Sequence, residues 1–247
     1  MYLLLLINLY GKVTGLKLYL QLKVWKKDHI SLPGHSAPIR IRKHTQDIHA
    51  FAQVFLQNEY QLDLPFTPKT IIDAGANVGY ASLLFHSAFR DAEILAIEPD
   101  QSNFNTLVHN CSHIAKVKSE QKAIHCENNI QLQLIDSGLG STGFTTSKVQ
   151  EGVGGETVAT ISPKEILSKM NWESIDLFKI DIEGGEKALF SENTKEWLPK
   201  TKCVVIEFHE RFEKNSSDSA FKALRANDFR FFDLVGENLI FLNEQLT

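Results

Sequence analysis

Cysteine is scarce in this sequence of 247 residues, and the three that are present lie far apart, at Cys111, Cys126 and Cys203. None of them belongs to a C-x-x-C pair, so neither a disulfide framework nor a cysteine-based zinc site is indicated. Because unpaired cysteines are typical of a reducing compartment, we expect a cytoplasmic protein.

A complete set of metal ligands is also missing. His109, Cys111 and His113 stand within one helical turn of each other and could approach a metal ion from the end of a helix. No carboxylate or thiol motif completes that set. We therefore expect that the protein has no metal site.

An excess of one charge is absent as well. Lysine and arginine number 26 and aspartate and glutamate number 30, for a formal charge of −4, with no basic tail or acidic block. This balance disfavours a polyanion partner that is held by charge alone, and we expect no nucleic-acid partner.

Long apolar runs are missing except at the start, "MYLLLLINLYGKVTGLKLYL". Asn8 interrupts this run, which is shorter than the ~20 residues that cross a bilayer. No lysine or arginine precedes it and no clear small-residue cleavage site follows, which disfavours a signal peptide. We predict a helix that packs on the domain or on the second subunit of a homodimer. A membrane-surface anchor is the less favoured alternative.

The first 60 residues carry structural elements of their own. Apolar and polar residues alternate from Leu18 to Val24, which predicts a strand, and "SLPGHSAPIRIRK" predicts a turn and a second strand. "TQDIHAFAQVFLQNEY" has apolar residues at helical spacing, with Thr45 as a candidate N-cap. We therefore predict a small helix, β-ribbon and helix in residues 1–60, ahead of a principal domain in residues 61–247.

Strand and helix patterns then alternate along the chain, from "TIIDAG" through "EILAIEP" and "IDLFKIDIEGG" to "KCVVIEFHE". Such alternation predicts an α/β domain in which helices cover both faces of a mostly parallel sheet. "NIQLQLIDSGLGSTGF" and "GETVATI" predict an inserted antiparallel pair joined by a glycine-rich loop. "FRFFDLVGENLIFLN" predicts a C-terminal β-hairpin.

The stretch "IIDAGANVGY" has the features of a nucleotide-binding turn. A strand that ends in a glycine turn and leads into a helix presents free backbone N–H groups to a ligand. The dinucleotide fingerprint needs a second glycine two residues after Gly75, where this sequence has Asn77. An acid, Glu98, stands at the tip of the next strand, where a carboxylate can accept both hydroxyls of a ribose. The sequence therefore predicts an adenosine ligand other than NAD.

Three segments in the same order, "IIDAGANVGYASLLF", "AIEPDQSNFNTLVHN" and "IDLFKIDIEGGEKALF", resemble the motifs of the FkbM family of S-adenosylmethionine-dependent methyltransferases. The resemblance implies a class I methyltransferase fold, Rossmann-like, with a seven-stranded, mostly parallel sheet and an antiparallel C-terminal hairpin. It also implies that the cofactor is S-adenosyl-L-methionine. The residues that it places at the cofactor are Asp73, Gly75, Ala76, Asn77, Gly79, Glu98, Pro99, Asn103, Ala123 and Asp181.

Charged residues near the ends of two later strands are the catalytic candidates. The strand period of two puts Lys179, Asp181 and Glu183 on one side, and the carboxyl end of such a strand is where open α/β sheets bind ligands. Asp181 and Glu183 are therefore candidates to face the acceptor, although Lys179 and Asp181 could instead form a structural ion pair. His209, beside Glu207, is a second candidate base that could equally be structural.

The expected activity is transfer of a methyl group. The sequence has no N/D-P-P-Y/F/W segment, which disfavours methylation of an amino group on a nucleic-acid base, and the family likeness points to O-methylation. We expect a small-molecule or glycan acceptor, either a hydroxyl of a sugar or polysaccharide or that of a secondary metabolite. The alternatives are a non-catalytic adenosine-binding partner protein and, less favoured, an NAD-dependent oxidoreductase.

Overall fold

The N-terminal part of the chain is helical. The structure is a computed structural model that describes residues 2–136, 144–148, 156–210 and 215–247. Helix α1 spans Tyr2–Tyr10 and α2 spans Lys12–Tyr19, and α2 continues into a π-helical turn at Leu20–Val24. In the described residues, no helix combines the length and the apolar character that crossing a membrane requires.

The strand predicted around residues 17–25 is wrong. Leu18 and Leu22 are buried, while Val24 is 57 % exposed, so the burial follows a helical period of four and not an alternation. The same apolar residues fit both periods over so short a run. Packing of α2 on α1 decides between them, because a Cβ on Gly15 would lie only 2.5 Å from the carbonyl oxygen of Leu6.

A two-stranded ribbon and a helix follow. Strands β1 (His29–Ile30) and β2 (Ile39–Arg40) pair antiparallel, so the predicted ribbon is present but starts later in the chain. Helix α3 spans Asp47–Leu56 and buries its apolar side in the core. The N-cap position is occupied by Gln46, one residue after the predicted Thr45, although the Thr45 hydroxyl accepts a hydrogen bond from the Asp47 amide at 3.2 Å.

The principal sheet has seven strands, in the order β5-β4-β3-β10-β11-β13-β12. The first five run parallel, and β13 lies antiparallel between β11 and β12. The predicted sheet and its C-terminal hairpin are therefore confirmed. The strands are β3 Thr70–Ala74, β4 Glu93–Ile97, β5 Val117–Glu120, β10 Ile175–Ile180, β11 Thr201–Ile206, β12 Phe229–Val235 and β13 Asn238–Asn243.

Helices cover both faces of this sheet. They are α4 Tyr80–Ala88, α5 Gln101–Cys111, α6 Pro163–Met170, α7 Glu186–Ser191 and α8 Ser216–Ala226. In β10, Leu177 faces the core side that includes α3, α4 and α5, whereas Phe178 and Ile180 face the side of α6, α7 and α8. Residues from α1 to α3 share the first of these cores with β3 and β4. The predicted boundary near residue 60 therefore separates segments that pack together.

A second, smaller sheet is inserted before β10. It consists of β6 (Ala123–Ile124), β7 (Gln131–Asp136), β8 (Phe144–Lys148) and β9 (Thr157–Ile161), in the order β6-β9-β7-β8. The predicted antiparallel pair is confirmed as β7 with β9. The glycine-rich loop that was predicted to join them lies in part outside the described residues.

Candidate functional site

The glycine turn after β3 is a point of close contact between two strand ends. Gly75 has a φ of +70°, and a Cβ there would lie 1.6 Å from the carbonyl oxygen of Asp181. The amides of Gly75 and Ala76 both donate to the carbonyl of Ile97 at 3.0 Å. Only glycine fits this position, and the turn consequently holds the carboxyl ends of β3, β4 and β10 together.

Glu98 stands at the tip of β4, where the sequence predicted it. Its carboxylate accepts hydrogen bonds from the amides of Asn77 at 2.8 Å and Asp100 at 3.0 Å, and from Asn103 Nδ2 at 3.4 Å. Burial raises the pKa of Glu98 to about 7, although these hydrogen bonds act in the opposite direction. Glu98 is therefore only partly ionised near neutral pH. Additional hydrogen-bond donors from a ligand would favour its charged form.

A cavity of about 350 Å³ opens at this edge of the sheet, which is within the range common for small-ligand sites. Its walls come from the glycine turn, the ends of β4, β6, β10 and β11, helix α3 and the turn between β12 and β13. The predicted residues that line it are Gly75, Ala76, Asn77, Glu98, Pro99, Asn103, Ala123, Lys179, Asp181 and Glu183.

Two residues predicted at the cofactor, Asp73 and Gly79, lie behind the cavity wall. Asp73 is fully buried and accepts a hydrogen bond from the Ser82 hydroxyl at 2.6 Å. A Cβ on Gly79 would lie 2.7 Å from a methyl group of Leu107 and 2.9 Å from the sulfur of Cys111. Their contacts support the turn and the packing of α4 on α5.

Lys179 is a buried cation whose contacts are with the protein. Its ammonium donates to the carbonyls of Gly75 at 2.7 Å and Ala74 at 3.2 Å, and lies 3.1 Å from Asp73 and 3.6 Å from Asp181. Burial by itself would lower the pKa of Lys179, but the charges of Asp73 and Asp181 outweigh burial and raise it. Lys179 is therefore charged and helps to fix the position of Asp181.

His209 lies at the centre of a cluster of four carboxylates. Its Nδ1 is 2.9 Å from Glu186, and its Nε2 is 3.2 Å from Glu207, 3.6 Å from Glu183 and 3.7 Å from Asp181. Burial by itself would lower the pKa of His209, but the hydrogen bonds with Glu186 and Glu207 outweigh it and raise the pKa to about 10. An imidazole that already carries this proton cannot accept another near neutral pH.

Asp181 is the carboxylate best placed to act on a ligand. Its side chain is 25 % exposed to the cavity, and the Tyr60 hydroxyl donates to Oδ2 at 3.4 Å. Burial raises the pKa of Asp181, against the effect of Lys179, and the neighbouring charge of Glu207 raises it further. A carboxylate with a raised pKa is a better proton acceptor than a solvent-exposed one, so the geometry favours Asp181 over His209 as a base.

The carboxylates could also attract a cation. Ligand atoms of Asp181, Glu207 and His209 lie within 4.8 Å of one another, close enough to hold a metal ion. The positive charge of His209 already occupies the space between these oxygens. The set of His109, Cys111 and His113, which the sequence analysis considered and disfavoured, is not brought together, because Cys111 is buried against Gly79 whereas His109 contacts His29 at the surface.

Comparison with known proteins agrees with this architecture. Residues 73–231 match the family described as the methyltransferase FkbM domain. The chain belongs to the FkbM methyltransferase family. The matched region contains the glycine turn, Glu98, Asp181 and His209. It therefore includes the part of the cavity wall that the glycine turn and the strand ends form.

Individual relatives of this FkbM family member are distant. Methyltransferase sdnD of Sordaria araneosa is 25 % identical in an alignment of 192 residues that covers 64 % of this chain and 73 % of the relative. A methyltransferase FkbM structure from Methylobacillus flagellatus is 12 % identical with a TM-score of 0.49, over 80 % of this chain and 50 % of that chain. This chain therefore spans about half the length of that protein. The fibrillarin pre-rRNA processing protein of Methanococcus jannaschii is 13 % identical with a TM-score of 0.45, over 90 % and 84 % of the two chains.

The part of the cavity wall outside the FkbM match contains residues that the sequence analysis missed. Helix α3 presents a polar stripe to the cavity, and Tyr60 and Glu59 follow it. The stripe has helical spacing of three and four residues, a signal that was available in the sequence but was read only for its apolar side. The missed residues are Gln46, His49, Gln53, Glu59, Tyr60 and, from the β12–β13 turn, Glu237.

An arginine joins this part of the cavity wall to the residues of the FkbM motifs. Arg42 forms a two-pronged ion pair with buried Asp47 at 2.8 and 2.9 Å. Its Nη2 also donates to Asn103 Oδ1 at 2.7 Å, and Asn103 in turn contacts Glu98. The segment ahead of α3 is therefore coupled to Glu98 through one guanidinium group.

Proposed function

We propose that this FkbM family member is an S-adenosylmethionine-dependent methyltransferase that O-methylates a hydroxyl of a sugar, a polysaccharide or a secondary metabolite. The observation that carries the proposal is one cavity that the glycine turn, Glu98 and Asp181 line together. When bound, S-adenosylmethionine supplies a methyl group that its sulfonium already activates for transfer.

The residues of the cavity fit such a cofactor. Asn77 lines the cavity, and its side-chain oxygen Oδ1 is buried without a hydrogen-bond partner among the described residues. A buried polar atom of this kind is costly unless a ligand satisfies it. Glu98 would hold the ribose hydroxyls, the turn at Gly75 would approach the methionine part, and Pro99 and Ala123 would border the adenine.

Asp181 would act on the acceptor. Its carboxylate can orient the acceptor hydroxyl and receive its proton at Oδ, and Lys179 at 3.6 Å compensates the charge of the carboxylate before that proton arrives. His209 would keep Asp181 and Glu207 in place through its positive charge, and not through proton exchange. The chain thereby aligns the acceptor and removes one proton from it.

The polar wall supports a hydroxylated acceptor. His49 and Gln53 from α3 and Glu59 after it offer hydrogen-bond donors and acceptors in the same cavity as Asp181. Groups of this kind can recognise several hydroxyls of one molecule, as a sugar presents them. The nearby carboxylates Glu59, Glu207 and Glu237 disfavour an acceptor that carries a negative charge at this end.

The test combines binding with turnover. Calorimetry should detect S-adenosylmethionine and its demethylated product, and should detect no NAD. Purified protein incubated with the donor and with fractions of cellular glycans or hydroxylated small molecules should convert a component to its methyl ether, which mass spectrometry identifies. Preferred binding of NAD would contradict the proposal. Binding of the donor without turnover in any fraction would favour the non-catalytic partner instead.

A further inference from the structure

The N-terminal hairpin, defined as residues 2–27, has an inner side that is filled by the protein. Leu6, Leu18 and Leu22 are buried in the same core as Phe51 of α3. Gly15 allows α2 to approach the backbone of α1 closely. Leu5 and Tyr19 pack partly against the same core, whereas the apolar side chains on the outer side of the hairpin lie outside it.

The outer side of the hairpin exposes large apolar side chains. Val13 is 84 % exposed, Leu4 66 % and Trp25 56 %. Together with Leu9, Leu16 and Val24, they make six of the 13 large apolar side chains that are exposed among the described residues. Single exposed apolar residues are ordinary, but a concentration in one short segment marks a binding surface.

The charge of the hairpin is opposite to that of the remaining chain. Residues 2–27 contain five lysines and no aspartate or glutamate, although acids outnumber bases in the chain as a whole. The lysines are Lys12, Lys17, Lys23, Lys26 and Lys27. Apolar and cationic groups are therefore interleaved on one segment, and the chemistry of its partner must match both.

We propose that the N-terminal hairpin docks this protein on the surface of an anionic lipid bilayer. Val13 and Leu4 would enter the boundary between headgroups and acyl chains, where an amphipathic tryptophan such as Trp25 is also favoured. The lysines would contact lipid phosphates. An apolar contribution and a basic one together give firmer attachment than either gives alone.

A second copy of this chain suits the hairpin less well. A twofold interface places the same patch on both subunits, so five lysines would face the same five lysines with no acid of the hairpin to compensate them. An anionic lipid surface has the complementary charge, and it accepts apolar side chains in any spatial arrangement.

Sedimentation of the full chain with lipid vesicles tests the proposal. We expect binding to vesicles of phosphatidylcholine mixed with phosphatidylglycerol, little binding to phosphatidylcholine alone, and weakening by added salt. The triple variant Lys12→Glu, Lys17→Glu, Lys27→Glu should lose on the order of a hundredfold in partition, at about fivefold for each lysine. The double variant Val13→Ser, Trp25→Ser should lose at least tenfold on the same vesicles.

Matched controls lie elsewhere on the surface. Lys200→Glu and Leu246→Ser change an exposed lysine and a partly exposed leucine outside the hairpin, and should bind vesicles as the unchanged protein does. Thermal unfolding and sedimentation velocity accompany each variant. Failure of the folded, unchanged protein to bind anionic vesicles would overturn the proposal. So would binding that survives the hairpin substitutions, or a dimer that these substitutions dissociate without any lipid effect.

Discussion

The two sides of the cavity differ in how the chain makes them. The side that we propose to bind the donor consists of one turn and the tip of the next strand, so Gly75, Asn77 and Glu98 lie within 24 residues of each other in sequence. The acceptor side is gathered from α3, from the ends of β10 and β11, and from the β12–β13 turn. A local motif can specify the first side, whereas only the complete fold creates the second.

The comparison implies that the two sides can be disabled separately. Substitutions on the acceptor side should change turnover and leave donor affinity almost intact, and those on the donor side should do the reverse.

Asp181→Asn should lower kcat by roughly 10²–10⁴-fold, because the amide keeps the shape of the side chain but cannot accept the proton of the acceptor. Donor affinity, measured by calorimetry, should change little. Glu237→Gln is the matched control, since it removes a carboxylate from the same cavity and should change kcat less than about tenfold. A kcat of Asp181→Asn close to that of the unchanged protein would show that alignment alone drives the transfer.

Glu98→Ala should weaken donor binding by on the order of tenfold or more, because two charge-assisted hydrogen bonds to the ribose are lost. Calorimetry with the demethylated cofactor measures this without turnover. Glu127→Ala, an exposed acid outside the cavity, is the control. Equal affinities of the Glu98→Ala variant and the unchanged protein would show that Glu98 does not bind the ribose.

Donor affinity should fall as the pH is lowered from about 8 to about 6, by roughly three- to tenfold. The pKa of Glu98 is raised to about 7, so its protonated form predominates below that pH, and the ribose hydroxyls prefer the carboxylate. Binding must then release a proton. The pH dependence should disappear in Glu98→Gln, and its persistence there would assign it to another group.

His49→Ala and Gln53→Ala should each raise the KM of the acceptor by roughly two- to tenfold, which corresponds to one hydrogen bond, with donor affinity unchanged. Both side chains line the cavity from α3. Gln57→Ala changes an exposed glutamine at the end of the same helix and should leave KM unaltered. A parallel loss of donor binding would contradict the separation of the two sides.

Treatment with EDTA should leave activity unchanged. The positive charge of His209 lies 3.2 Å from Glu207 and 3.7 Å from Asp181, between the oxygens that a metal ion would need. The measurement is the initial rate before and after dialysis against the chelator. Loss of activity that magnesium restores would instead identify Asp181 and Glu207 as metal ligands.

The sequence predicted the sheet and the position of the glycine turn and Glu98 at its edge because these features depend on local patterns. All six residues of β10 are buried and four of them are apolar, and the glycine turn must follow β3 directly for Gly75 to approach Asp181. Because β4 pairs in parallel with β3, Glu98 at the tip of β4 must lie beside the glycine turn that follows β3. These features require no knowledge of distant parts of the chain.

The remaining features depend on contacts between distant segments. The alternation from Leu18 to Val24 fits a strand and a helix equally over so few residues, and packing of Gly15 on α1 selected the helix. The proton on His209 follows from Glu186, 23 residues away, as much as from its neighbour Glu207. Neither contact could be inferred from spacing along the chain.

Helix α3 has consequences for how such proteins can diverge. Its apolar side, with Phe51 and Phe55, belongs to the core, while His49 and Gln53 of the same helix face the cavity and are exposed. Mutation can therefore alter the second pair at little cost in folding free energy, and natural selection can test new acceptors one residue at a time. Gly75 has no such freedom, because any side chain there collides with the backbone of Asp181. Proteins that share this fold are therefore expected to keep the same methyl donor while their acceptors change.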